Sequence, residues 1–255
     1  MKSEYNFESE MRVFSLSHKD LKEQEARSFN NSHRILVHQI VVLHSELRHD
    51  KYIGSCWAFS AIAAAEGITK LSTGKSIFLS EQELVDCDRT SEDQGCEGGY
   101  MEDAFEFIVK NKSITTEKRH PYKAADGSCN TKKESSSAAD IKGYGKVPMN
   151  NEKALLNAVA NQPVSVSIDA SDFSFQSTQS GVYTGSCGTE LDHGVTAIGY
   201  GKAVDGTKYW LITNSWGASW GENGYIRMER DIDENEGLCG IAMDALIQLF
   251  KHIIH

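Results

Sequence analysis

Apolar positions divide the chain into two dissimilar halves. Across 56–71 alanine is frequent, and Trp57, Ala61, Ala64, Ala65 and Ile68 recur at helical intervals, with Gly74 placed to stop the helix. Ser80-Glu81-Gln82-Glu83 has the form of a capping box, which predicts a short helix through Leu84 and Val85. A third helix is predicted over 101–110. Lysine, serine and glycine dominate 126–146, which reads as loops and a crossover between domains. Asn151 then caps a helix through Ala160 that Pro163 ends. Beyond it the period becomes that of strands, over 164–168, 194–200, 208–213 and 224–228, with glycine-rich turns between. Helices followed by strands predict an α+β protein with a cleft where the halves meet.

Length and composition narrow the class. The 255 residues, 40% hydrophobic and 24% charged, suit one large soluble domain or two small ones. The most continuous apolar stretch, 35–43, is interrupted by His38 and Gln39 and falls short of the roughly 18 to 20 residues that span a bilayer. It reads as a buried strand or helix turn, and it begins too late to be a secretory signal. A net charge of −10, from 26 basic and 36 acidic residues, argues against nucleic acid or an anionic membrane as the main partner. Residues 1–50 are polar and hold His18, His33, His38, His44 and His49, but without metal-ligand spacing, so neither a metal nor a cofactor is expected.

The chemistry begins with cysteine. The six cysteines contain no Cys-x-x-Cys pair, and their wide spacing suggests disulfides plus a working thiol in an oxidising compartment. The sequons Asn30-Asn31-Ser32 and Asn111-Lys112-Ser113 agree with that compartment. In Gly54-Ser55-Cys56-Trp57-Ala58-Phe59-Ser60 a cysteine opens a predicted helix, where unpaired N–H groups and the dipole favour thiolate. Taken alone, Cys56 is equally a buried inert thiol. Leu191-Asp192-His193-Gly194 puts a histidine at the start of an apolar strand, and Asn214-Ser215-Trp216-Gly217 follows another. A nucleophile, a base and an orienting amide can therefore converge from both halves on one cleft.

Together these segments resemble the papain-like cysteine peptidases, plant type, over 54–245. Further motifs carry the likeness: 80–87, Gly95-Cys96-Glu97-Gly98-Gly99, Asn161-Gln162-Pro163-Val164-Ser165-Val166, and Trp220-Gly221-Glu222-Asn223-Gly224-Tyr225. The resemblance implies a two-lobed fold, with a helical lobe over 51–143 and an antiparallel, barrel-like β lobe over 144–255. It implies an endopeptidase using Cys56, His193 and Asn214 through an acyl-enzyme, with Trp216 shielding the His–Asn contact. The Cys56 backbone N–H would be one oxyanion donor. Substrate would lie along Gly98 and Gly99 and meet Asp192. Tyr100, Met101, Ser167, Leu191 and Asp244 would border an apolar pocket, with Asp244 also able to admit Lys or Arg. Disulfides Cys87–Cys129 and Cys187–Cys239 are implied. So are polypeptide substrates, protein inhibitors of such peptidases, a monomer, and a lysosomal, vacuolar or extracellular location.

The chain also departs from that pattern. The glutamine that supplies the second oxyanion donor is replaced by Asp50, with His49 and Lys51 as neighbours. Ile53 stands where a partner for Cys96 belongs, so Cys96 is expected to be a free thiol. No signal peptide or propeptide is recognisable in 1–50, and an atypical apolar tail is expected from Leu246. Two alternatives to the active peptidase follow: a catalytically impaired homologue that binds peptides, or the product of a truncated or mis-joined gene.

Overall fold

The computed structural model describes residues 54–89, 93–129 and 138–250. Asp50, Ile53, the 35–43 stretch, the early histidines, the Asn30 sequon and the last five residues lie outside them.

Helix α1 (Cys56–Thr73) is buried around most of its circumference, which explains its alanine content: Ala58, Ala61, Ala64 and Ala65 all sit in the core. Small side chains let neighbours approach from several sides, and Gly67 packs directly on the Pro163 ring. The helix ends as the sequence predicts, with Gly74 left-handed at φ 74° and its N–H donating to the Lys70 carbonyl. Helix α2 (Glu81–Cys87) uses only half of its capping box. Ser80 Oγ accepts from the Glu83 N–H, but the Glu83 carboxylate turns away and accepts from the Thr115 N–H at 2.6 Å. Helix α3 (Met101–Asn111) completes the helical lobe, whose core gathers Trp57, Ile62, Leu84, Phe105, Ile108 and Ile114.

The β lobe is one seven-stranded sheet in the order β1-β7-β2-β4-β5-β6-β3. Its strands are β1 (Gly143–Lys146), β2 (Val164–Ile168), β3 (Val182–Tyr183), β4 (His193–Lys202), β5 (Lys208–Thr213), β6 (Tyr225–Glu229) and β7 (Ala245–Leu249). Helix α4 (Glu152–Asn161), capped by Asn151 Oδ1 on the Ala154 N–H, buries Leu155 and Val159 in this lobe's core. A short helix α5 (Phe173–Gln176) adds Phe175. The pairings are antiparallel except that of the two-residue β3 with β6, which is parallel.

One expectation is corrected. Residues 143–146, expected within a crossover loop, form β1, paired to β7 in register Gly143 with Leu249 through Lys146 with Leu246. The first residues of the apolar tail, Leu246 to Leu249, belong to strand β7 between β1 and β2. These strands exist by pairing with distant partners, and neither 143–146 nor 245–249 shows a local alternation that announces it. Leu246, 1% exposed, belongs to the core of the helical lobe, so β7 fastens the two lobes together. The lobe boundary expected between 143 and 144 likewise falls inside a strand.

Candidate active site

Helix α1 lies against strands β2 and β4, and buried polar groups fix its register. Ser60 Oγ donates to the Val195 carbonyl at 2.7 Å, and Ser165 Oγ donates to the Ser60 carbonyl at 3.0 Å. Gly194 makes the close approach possible. A Cβ there would come within 3.4 Å of both the Cys56 carbonyl oxygen and the Trp57 Cα. The residues after the histidine and at the cysteine therefore back onto one another across the lobe junction.

Cys56 is partly exposed, stands outside both disulfides, and opens α1. Ser55 does not cap the helix through its side chain, because its hydroxyl is engaged with the Tyr122 hydroxyl at 2.6 Å. No acidic residue occupies the first turn of the helix, whose positive end lies at the cysteine. Tyr122 also meets Phe59 edge-on at 4.9 Å. It is a support for the cysteine turn that the sequence did not single out.

His193 is 8% exposed, and its Nε2 lies 2.8 Å from Asn214 Oδ1. The Ser215 N–H donates to the same atom at 2.8 Å, which identifies it as the carboxamide oxygen. Nε2–H is then the donor, and Nδ1 is the imidazole nitrogen left for proton exchange. Trp216 stacks on the imidazole at 4.8 Å with planes 28° apart. It is held by Trp220 and Phe175, both edge-on, at 5.0 and 5.8 Å. Phe175 was not foreseen. The only local signal is Asp172, which caps α5 by accepting from the Ser174 N–H.

The glycine segment 98–99 adjoins the cysteine turn. A Cβ on Gly54 would meet the Cys96 carbonyl oxygen at 2.7 Å and Gly98 N at 3.1 Å. One on Gly99 would meet the Trp57 ring at 2.7 Å. Gly98 itself, at φ 129°, faces open space. Trp57 Nε1 donates to the Gly95 carbonyl at 3.0 Å. Of the remaining expected contacts, Tyr100 is exposed and Met101 is buried, with its sulfur against Gly194. Leu191 packs on Gly240. Ser167 Oγ donates to Asp244 Oδ2 at 2.6 Å, and Asp192 Oδ1 accepts from the Ala170 N–H at 2.8 Å.

Cys87–Cys129 and Cys187–Cys239 are disulfides, with Cα separations of 4.6 and 5.0 Å. Cys96 is in neither. Burial, then the Asp126 carboxylate that accepts its backbone N–H, push its thiol up to about 11. Among the described residues no cluster of three or more His, Cys, Asp or Glu could hold a metal ion, and no helix is long and apolar enough to cross a membrane.

This fold and site define a two-lobed α+β protein that presents a cysteine, a histidine and an asparagine where its lobes join. The Papain family cysteine protease profile matches residues 39–249, and the chain belongs to that family. It is 66% identical over 191 residues to the senescence-specific cysteine protease SAG39 of Oryza sativa subsp. indica, covering 75% of this chain and 56% of the relative. It is 62% identical over 198 residues to vignain of Ricinus communis, covering 78% and 55%. The chain thus spans about half the length of these curated relatives. Among solved structures it is similar to bromelain from Ananas comosus in complex with the E64 inhibitor, at 46% identity and TM-score 0.76, over 81% of this chain and 94% of that one. The proform of the ragweed pollen cysteine protease Amb a 11 superposes at TM-score 0.78 with 43% identity, over 82% and 63%.

Proposed function

We propose that the chain carries the catalytic unit of a cysteine endopeptidase acting on polypeptides, with Cys56 as nucleophile, His193 as base and acid, and Asn214 as orienting residue. The observation that carries this reading is the His193 Nε2–Asn214 Oδ1 bond under the Trp216 ring, on a strand whose next residue backs onto Cys56. Cys56 Sγ adds to the peptide carbonyl carbon while His193, through Nδ1, holds the thiol proton. The C–N bond then breaks as that proton passes to the leaving amine. Water, deprotonated by the same nitrogen, splits the thioester and returns the thiol. The Cys56 backbone N–H is one donor to the oxyanion.

Substrate lies along Gly98 and Gly99 and passes Asp192, with Tyr100, Met101, Ser167 and Leu191 lining the pocket for the residue two before the scissile bond. Asp244, held by Ser167, lets that pocket take Lys or Arg beside apolar residues. Cleavage of dipeptide reporters separates the two preferences. Asp244→Ala should lower turnover of basic substrates several-fold and leave apolar ones unchanged, and equal loss on both rejects the role. The two disulfides support a lysosomal, vacuolar or extracellular setting. The E64 complex of bromelain supports inhibitor binding in the same cleft. A monomer, without nucleic acid or membrane as partner, completes the proposal.

Asp50 favours a second reading, a homologue that binds peptides and turns them over poorly. An ionised carboxylate offers no donor to an oxyanion and repels its charge. An epoxysuccinyl probe and a fluorogenic peptide decide between the two readings. Labelling of Cys56 with turnover supports the peptidase, labelling without turnover supports the impaired homologue, and neither rejects both.

A further inference from the structure

Tyr122 touches the cysteine turn at two points that bracket Cys56. Its hydroxyl lies 2.6 Å from the Ser55 hydroxyl, and its ring meets Phe59 edge-on at 4.9 Å. Ser55 is wholly buried and stands at φ −92°, ψ 11°, in the sparsely occupied bridge between the helical and extended regions. Its carbonyl accepts the Ala58 and Phe59 N–H groups at 3.0 and 3.2 Å. A serine at the head of a helix ordinarily turns its hydroxyl onto a free N–H of the first turn. Here Tyr122 engages that hydroxyl instead. The peptide between Ser55 and Cys56 carries the N–H proposed as an oxyanion donor, so the direction of that donor follows the Ser55 backbone angles.

Tyr122 is itself fixed from behind. Its N–H donates to Glu117 Oε1 at 3.0 Å. The Lys123 N–H donates to Gln82 Oε1 at 2.7 Å, and Gln82 Nε2 donates to the Ala125 carbonyl at 2.9 Å, so one carboxamide clasps the chain on both sides of Ala124. Ala124 has φ 55°, a left-handed conformation that a non-glycine residue keeps only where its surroundings impose it. On the other side of Tyr122, His120 Nε2 lies 2.8 Å from Asp86 Oδ2, and the His120 carbonyl accepts from Ser80 Oγ at 2.5 Å. Asp86 Oδ1 in turn accepts from Gln82 Nε2 at 2.7 Å. Ser80, Gln82, Asp86 and His120 are all buried. The clasp belongs to α2 and its cap, and Tyr122 carries its rigidity to the first turn of α1.

We propose that Tyr122 is a positioning residue for the nucleophile: through the Ser55 hydroxyl it sets the direction of the Cys56 N–H that receives the oxyanion. The proposal rests on the peptidase reading for Cys56 as the attacking residue. Without the tyrosine hydroxyl, the buried Ser55 hydroxyl is left to the free N–H groups of the first turn. Capping them draws Ser55 toward the extended backbone of an ordinary cap and turns the N–H that follows it. The contact between the Tyr122 and Phe59 rings does not need the hydroxyl, so the consequence falls on one donor and not on the fold.

The test compares the full chain with Tyr122→Phe, Ser55→Ala and the double variant, using an apolar dipeptide aldehyde and the amide of the same dipeptide as probes. Cys56 Sγ adds to the aldehyde carbon while the thiol proton passes to the carbonyl oxygen, which places a tetrahedral oxygen where the oxyanion would lie; the amide fills the cleft without that bond. Tyr122→Phe should bind the aldehyde about three- to tenfold more weakly and the amide as tightly as the parent. For a fluorogenic peptide kcat should fall by a like factor at unchanged KM, with the thermal midpoint within about 3 °C of the parent. Ser55→Ala, which removes the tether from its other end, should lose aldehyde affinity over the same range, and the double variant should lose no more than the larger single loss. Equal weakening of aldehyde and amide, no weakening of either, or additive losses in the double variant would each overturn the proposal. If the parent binds the aldehyde no better than the amide, Cys56 does not attack a carbonyl; the peptidase reading is then what fails, and the role of Tyr122 falls with it.

Discussion

His193 owes its orientation to an amide and an indole. The Asn214 oxygen receives two N–H donors, one from the ring and one from the Ser215 backbone, so the asparagine is itself held while it holds the histidine. Removing it leaves a buried ring donor unsatisfied and the ring free to turn beneath Trp216. Asn214→Ala should lower kcat by about ten- to a hundredfold, with little change in KM. An equal loss in KM alone would show that the residue binds substrate instead. Asp50 gives the opposite prediction. Asp50→Gln, which restores the amide that the family pattern has at this position, should on the peptidase reading raise kcat by roughly 10²- to 10³-fold at unchanged Cys56 labelling. At this scale the proposed trio is legible in the sequence, because each member sits in a local motif of its own. Tyr122 and Phe175 are not, since an aromatic residue that supports a site through packing carries no signature in its neighbours.

Elements succeed or fail in the sequence according to where their stabilising contacts lie. Helix α1 announces itself by its alanines and its terminal glycine, and α4 by Asn151 and Pro163. Strands β1 and β7 do not, because each is completed by a partner about a hundred positions away in the chain. In the capping box of α2 Ser80 caps as its motif predicts, but the Glu83 carboxylate is drawn to the Thr115 N–H by tertiary structure. Two substitutions test this level. Asn151→Ala removes the cap of α4 and should cost about 1 kcal/mol in denaturant unfolding. Leu246→Ala, in β7 but within the helical core, should cost roughly 2 to 5 kcal/mol. A loss for Leu246→Ala under 1 kcal/mol would mean that β7 does not join the lobes.

The whole molecule is two cores sharing one seam. The helical core and the sheet core meet along α1, β2, β4 and β7; Cys56 opens α1, His193 opens β4, and Asn214 reaches His193 through its carboxamide. The α+β class and its cleft could be read from the change of period along the chain. The seam could not, because it is made by Gly194, Ser60 and Ser165, whose small size becomes meaningful only when the lobes are in contact. The two thiols outside the disulfides then offer a direct comparison within one molecule. Cys56 lies at the positive end of a helix, on the residue that Gly194 backs onto, and Cys96 is kept protonated by burial first and then by the Asp126 carboxylate beside it. Peptide mapping after brief exposure to an epoxysuccinyl reagent near pH 6 measures both at once. The account predicts stoichiometric modification of Cys56, none of Cys96, and loss of the Cys56 reaction in His193→Ala. Modification that ignores His193, or that falls on Cys96 first, would contradict it.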